Sequence, residues 1–329
     1  MSSKKKNIYI FLGKVILITL LIVLFIRCFL IESFTVSSSQ MESTLHQNDR
    51  ILIDKTSYGI RLPITLLSIP FTFDNIFGMK SYSTLLQAPY TRLFTSQLHR
   101  NDIVLFNNPI ETDKPLDKSN LLLGRCVALP GDSIEMSNGL FLVNKEEYVT
   151  TPNTTEEYII EHTDYKLINY AINDLDIPLR NHRKINDTLH LQLNRYEAYM
   201  LKESLPDSIN LVCCSVDTTT NYRLLVPSKG NTIISNENNL LIYKDIIKQE
   251  QKDKEIRIED GTLLIDGIKQ DRYTFEDDYY WLLSDNSINS MDSRHLGFIP
   301  FRTIIGKALT IWYNPDKEMR CNRCFQPIK

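Results

Sequence analysis

Strong charge of either sign is missing from this chain of 329 residues: 37 Lys and Arg stand against 40 Asp and Glu, a net charge of -3. That balance offers no field for a polyanion, so nucleic acid is not an expected partner. Low-complexity tracts and internal repeats are also missing. The 11 glycines and 13 prolines are scattered, which excludes a long disordered spacer. A metal-binding set of cysteines is missing as well. The six are Cys28, Cys126, Cys213, Cys214, Cys321 and Cys324. Cys321-Asn-Arg-Cys324 has metal or redox spacing, but no second pair completes it and no βαβ pattern surrounds it. Cys213 and Cys214 are neighbours and bridge each other only with strain. No metal and no cofactor is expected. The thiols are expected free or locally bridged in an exported domain.

One long apolar run is present, at the start. Lys4-Lys5-Lys6 leads into residues 8–31, interrupted by Lys14 and Arg27. The core from Val15 to Ile26 falls short of the roughly 20 residues that cross a bilayer. With Lys14 and Arg27 snorkelling to the interfaces, the run is long enough. A cleaved signal peptide is the alternative, but the run is extended and no small-x-small cleavage site follows it. The expectation is an uncleaved anchor over 8–31, residues 1–7 on the cytoplasmic side, and the remainder outside the cytoplasm.

Beyond the anchor the pattern is of short strands: Asp49–Asp54, Asp102–Phe106, Gly139–Val143, Tyr222–Val226, Thr262–Ile265 and Lys307–Trp312. They are rich in branched residues and bounded by polar ones. Asp266-Gly267 between Ile265 and Ile268 predicts a tight hairpin. Helical periodicity is confined to Glu237–Glu250, through Leu240, Ile242, Ile246 and Ile247, and a short helical turn is expected over Asp207–Val212. This predicts a mainly β protein: a core of residues 32–147 and 274–315, a smaller β-rich subdomain inserted over 148–273, and a tail from 316. Residues 64–99 carry Leu66, Leu67, Ile69, Phe71, Phe73, Ile76 and Phe77, with Pro70 breaking any helix. They read equally as a loop folded on its own core or as an apolar surface against membrane or partner.

Five segments resemble, in order, those of type I signal peptidase, which removes signal peptides from exported proteins. They are Phe25–Phe34 at the anchor junction, Ser38-Ser-Gln-Met-Glu-Ser-Thr-Leu45, Arg100–Phe106, Arg125–Asp132, and Ser284–Arg294 followed by Gly297-Phe-Ile-Pro300. The resemblance spans nearly the whole chain. It implies an antiparallel β fold behind one membrane helix, in the bacterial inner membrane. It also implies a serine nucleophile activated by a lysine base in a dry pocket.

This chain departs at both positions. The nucleophile precedes the methionine matched by Met41, and Gln40 stands there. The base precedes the arginine matched by Arg125, and Gly124 stands there, leaving space where the lysine would be. The resemblance places Ser38 at the oxyanion, Ser290 beside the base, and Asp292 with Arg294 in support. Ser284, Ser287 and Ile288 replace residues usual in the last motif. Ser39 is a fallback nucleophile, but in an extended segment it faces away from Gln40's side. His46, Lys55 and His295 are the base candidates in motif terms, and none has partner spacing. The expectation is an anchored family member without peptidase activity that binds signal peptides or an active paralogue. The alternatives are an active enzyme using Ser39, and a purely structural membrane protein.

Overall fold

The computed structural model describes residues 3–328, apart from 43, 70–71, 73–74, 138–139, 149, 151–153, 162–164, 179, 181, 207, 215–221, 260, 288–289 and 317–322. Helix α1 (Ser3–Phe29) contains a 21-residue apolar window, Tyr9–Phe29, of mean hydropathy 2.7, none of it buried against the protein. It ends two residues before the expected limit at 31. Ile31 already opens strand β1 (Ile31–Thr35), which pairs residue for residue with β2 (Arg50–Asp54).

The main sheet is antiparallel. Its further strands are β3 (Ile103–Asn107), β4 (Leu121–Ala128), β5 (Tyr279–Leu283), β6 (Ile299–Pro300), β7 (Ile304–Tyr313) and the short β8 (Gln326–Pro327). They lie in the order β1-β2-β7-β3-β4-β5-β6, with β8 on β7. Side chains of a strand alternate between faces, and here both faces are covered. Ile103, Leu105 and Leu123 join Met41, Leu45 and Ile51 on one side. Val104, Phe106 and Cys126 join Tyr58, Tyr280 and Leu282 on the other. All five residues of β3 are therefore buried, which explains its near-continuous apolar run in the sequence.

A second, four-stranded sheet joins Glu146–Glu147, Leu140–Val143, Ser133–Ser137 and Tyr222–Leu225. It straddles the expected boundary at 147/148, because Ser133–Ser137 pairs both with its hairpin partner and with Tyr222–Leu225 from within the expected insert. A third sheet, of His182–Ile185, Thr188–Asn194, Thr155–Glu161 and Leu211–Cys213, carries helices α2 (Tyr165–Asp174) and α3 (Arg195–Ser204) over its own small core. Neither helix was expected. Yet Ile168, Ala171 and Ile172 have helical spacing, and Asn194 with Glu197 forms a reciprocal capping box. Helix α4 (Glu237–Glu250) has the expected limits, capped by Asn236. The turn of helix expected over Asp207–Val212 is absent among the described residues. Leu211–Cys213 is a strand on Thr155–Glu161, a tertiary pairing that overrides weak local preference. Asp207 lies outside the described residues.

The Asp266-Gly267 turn is present, with φ of 51° and 76° at its two residues and Ile265 opposite Ile268. Both angles positive is the geometry that suits a two-residue hairpin. Cys28, Cys126 and Cys214 carry free thiols. The spaced pair Cys321/Cys324 falls partly outside the described residues.

Gly306 marks the tightest crossing of the main sheet. β7 shifts register against β3 between Ile304 and Gly306. A Cβ on Gly306 would overlap the Asp54 carbonyl and lie 2.9 Å from Ile53 Cγ2. Gly306→Ala is therefore expected to cost about 1–3 kcal/mol by overpacking, measured as a lower urea midpoint of the detergent-solubilised protein.

Candidate functional site

The segment after β1 is fixed to the main sheet by apolar anchors. Val36, Met41 and Leu45 are 1%, 0% and 0% exposed. Between them the chain coils instead of extending: Ser39 O accepts from Glu42 N, and Met41 O accepts from both Thr44 N and Leu45 N. The strand alternation expected for Ser39 thus has no basis here. Ser38 and Gln40 nonetheless line a cleft of about 1060 Å³, while Ser39 is not among its lining residues. The cleft runs from Leu24 and Arg27 of α1 past β1 to Leu105, Asn120, Leu121 and Leu122 on β3 and the start of β4.

Gln40 is buried, 6% exposed. Its carboxamide Nε2 donates to Met291 O at 3.1 Å, and its Oε1 accepts from Ser38 Oγ at a long 3.4 Å. Its backbone carbonyl accepts from Asn286 N at 2.9 Å, and Asn286 Nδ2 donates to Ser39 O at 2.9 Å. Among the described residues no side chain hydrogen-bonds the Ser39 hydroxyl.

Gly124 sits in β4 opposite Val104. The expected open space beside it is filled. A Cβ there would meet Leu282 Cβ at 3.1 Å and Phe106 Cε1 at 3.4 Å, so the apolar core has closed against the glycine. Gly124 does not line the cleft that Gln40 lines. The lysines of the cleft wall are committed elsewhere. Lys55 Nζ is 2.7 Å from Glu32 and donates to Arg27 O, and Lys118 Nζ donates to Ser68 Oγ at 2.8 Å. His295 is exposed. His46 is half-buried, and burial, with the Arg323 charge, lowers its pKa against the pull of Asp49.

The charged residues of the site form two bidentate pairs. Arg125 Nε and Nη2 donate to the two oxygens of Asp285 at 2.8 and 2.7 Å, with both side chains 3% exposed. Thr44 Oγ1 donates to the same carboxylate at 2.5 Å, and Arg125 Nη1 donates to Asn101 O. This pair ties the Gln40 segment, β4 and the end of β5 together. Arg294 clasps Asp292 through Nε at 3.0 Å and Nη2 at 2.6 Å, and donates from Nη2 to Ser290 Oγ at 2.9 Å. Asp292 also accepts from Ser284 N and Arg294 N, fixing the turn after β5. Ser290 donates to Ser287 O at 3.3 Å. Asp285, Thr44 and Asn286 lie inside the quoted motifs but were given no role there. Nothing in one sequence signals that a carboxylate and an arginine 160 residues apart share a buried pair.

β4 is paired unequally. Leu121 to Arg125 all face β3, whereas pairing with β5 begins only at Arg125. From Leu121 to Gly124 one edge of the strand has no partner among the described strands, and its first two residues line the cleft.

A family model for signal peptidase, peptidase S26, matches residues 10–208 and 225–313. The chain belongs to that family. Signal peptidase I of Buchnera aphidicola subsp. Baizongia pistaciae (strain Bp) is 28% identical over 305 residues, 91% of this chain and 75% of that protein. Signal peptidase I of Rickettsia bellii (strain OSU 85-389) is 24% identical over 302 residues, 92% of this chain and 72% of its own length. That of Rickettsia typhi (strain ATCC VR-144 / Wilmington) is 28% identical over 294 residues, covering 89% and 76%. The family and the apolar N-terminal helix together indicate a membrane-anchored protein.

The Asp292 clasp gives the site a pH signature. Burial alone would raise this carboxyl, but the Arg294 hydrogen bonds and charge, with the two backbone N–H groups, outweigh it and hold the pKa below the usual value. A depressed folded-state pKa contributes stability that is present above the unfolded carboxyl range, about 4, and is lost as pH falls through the folded value. Thermal midpoints of wild type and Asp292→Asn should differ fully at neutral pH and converge below about pH 4. A gap that persists unchanged at pH 3 would refute the charge argument.

Proposed function

We propose that this chain is a membrane-anchored member of the signal peptidase family that has lost the peptidase reaction and holds an extended peptide in its cleft. The observation that supports this most directly is Gln40: a carboxamide occupies the nucleophile position and is itself bonded to Met291 O. A carboxamide does not replace an alkoxide as a nucleophile. The base position is equally mute, with Leu282 and Phe106 packed where a side chain would start. Ser38, Ser290, Asp292 and Arg294 then serve as scaffold, holding turns by hydrogen bonds. Met41 and Arg125 do the same through the core and the buried ion pair.

Binding needs none of the lost chemistry. The one-sided edge of β4 offers N–H and C=O groups to an extended guest, and the apolar side chains of the cleft offer pockets. Signal peptides suit the site because the cleft opens beside the last turns of α1, where such a peptide leaves the membrane. An active family member is the other candidate guest. The Lys4–Lys6 cluster in the first turns of α1 supports an N-terminus in the cytoplasm and β domains across a bacterial cytoplasmic membrane.

The test pairs cleavage with crosslinking on the full-length protein in detergent. Wild type, Ser38→Ala and Ser39→Ala should all leave a preprotein uncut. A photo-crosslinking residue at position 38 should form an adduct with its signal peptide. Cleavage by wild type that Ser39→Ala abolishes would restore the enzyme reading. Absence of any adduct would leave a structural membrane protein.

A further inference from the structure

The third sheet reaches the Gln40 segment through a buried chain of amides. It docks on the turn after β5: Thr155 N donates to Asp285 O at 2.9 Å, and Ser287 N and Oγ donate to Thr155 O at 3.2 and 2.8 Å. Between those attachments lies Asn286, 0% exposed, and against it Gln192 of Thr188–Asn194, 2% exposed. Gln192 Nε2 donates to Asn286 Oδ1 at 2.6 Å and to Thr155 Oγ1 at 3.1 Å. On its other side Asn286 donates from Nδ2 to Ser39 O at 2.9 Å.

The polarity of this chain is set at its far end. The Ser39 carbonyl only accepts, so Asn286 must turn its NH2 group toward it. Asn286 Oδ1 is then left facing Gln192, and the group opposite must be a donor. Gln192 supplies that donor, while its own Oε1 is buried without a partner. An unbonded buried acceptor is destabilising. An apolar side chain of similar length would fill the same space without it, so the carboxamide is kept for its N–H. What it steadies matters to the cleft. Asn286 holds Ser39 O with its side chain and Gln40 O with its backbone N–H, and Ser38 and Gln40 line the cleft.

From this we infer that Gln192 is a positioning residue of the cleft: it orients the Asn286 carboxamide and through it fixes the course of the Ser39–Gln40 backbone. The third sheet, with α2 and α3 on it, is thereby wired to the peptide-holding segment. Any consequence for a guest rests on the proposed function, whereas the effect on the segment itself does not.

The test uses the full-length protein in detergent, with Gln192→Met and Gln192→Glu, both close to glutamine in length. Methionine donates at no pH. A glutamic acid donates through its O–H when protonated and only accepts when ionised. At this position, burial and the carboxylate of Glu157, the cross-strand neighbour, raise the carboxyl above its usual range. The nearby cations are already paired, Arg183 and His190 with Glu157 and Arg125 with Asp285. Gln192→Glu should therefore donate at about pH 6 and fail to donate at about pH 9. Hydrogen exchange is read at the amides of Glu42, Thr44 and Leu45, which bond within the coil, against wild type at the same pH. Gln192→Met should speed it about tenfold at both pH values, and Gln192→Glu about tenfold at the higher pH alone. Ile103–Asn107 should be unchanged throughout, and crosslinking of a signal peptide at position 38 should fall in step with the loosening. Wild-type protection in Gln192→Met would overturn the inference. So would a Gln192→Glu protein that is as loose at the lower pH as the methionine variant, because the donor would then not be what matters. Loosening that spreads to Ile103–Asn107 would also overturn it, by assigning Gln192 to the fold at large. Failure of wild type to capture any peptide would count against the peptide-holding reading alone, and the exchange rates would still decide the role of Gln192.

Discussion

The Arg125–Asp285 pair is the constraint on which the rest of the site hangs. Two opposite charges removed from water are costly unless each is fully bonded. Here both carboxylate oxygens and three guanidinium nitrogens are engaged, and Thr44 closes the set. Three distant stretches meet at that point: the loop carrying Gln40, the middle of β4 and the end of β5. The same chain turn continues through Asn286 to grip the backbone of Ser39 and Gln40, then through Asp292 to Arg294. The scaffold shared with the signal peptidase family is thus held by ion pairs and hydrogen bonds that do not involve the Gln40 side chain. Its survival is compatible with the proposed loss of the reacting pair.

How much of this was legible in the sequence depends on range. Short-range rules worked where one segment contains all its partners. The Asp266-Gly267 hairpin, the limits of α4 and the buried β3 run all follow from turn chemistry or periodicity. Helices α2 and α3 were missed although their spacing and capping box are local, because the surrounding strands dominated the reading. Leu211–Cys213 was misread because only its pairing with Thr155–Glu161 makes it a strand.

At the site, residue identities were legible and their surroundings were not. Gln40 and Gly124 stood out from the motif alone. That Gln40 is pinned to Met291 O, that Gly124 is backed by Leu282 and Phe106, and that Ser39 lies off the cleft all depend on contacts across many residues. The apolar insert is the clearest case. Its composition left a self-packed loop and an exposed surface equally open, and only exposure at Phe77 and Leu85 separated them.

Under the proposed peptide-holding role, the half-paired stretch of β4 sets a length on the guest. Its two cleft-lining residues, Leu121 and Leu122, at about 3.3 Å each give roughly 7 Å of ladder. A guest arriving as a membrane helix rises only about 1.5 Å per residue and keeps its hydrogen bonds to itself. It must unravel about two residues before it can bond to this edge, at a conformational cost that glycine or proline near the unravelled point would lower. The strand edge therefore sorts guests by how readily they come undone where the hydrocarbon ends.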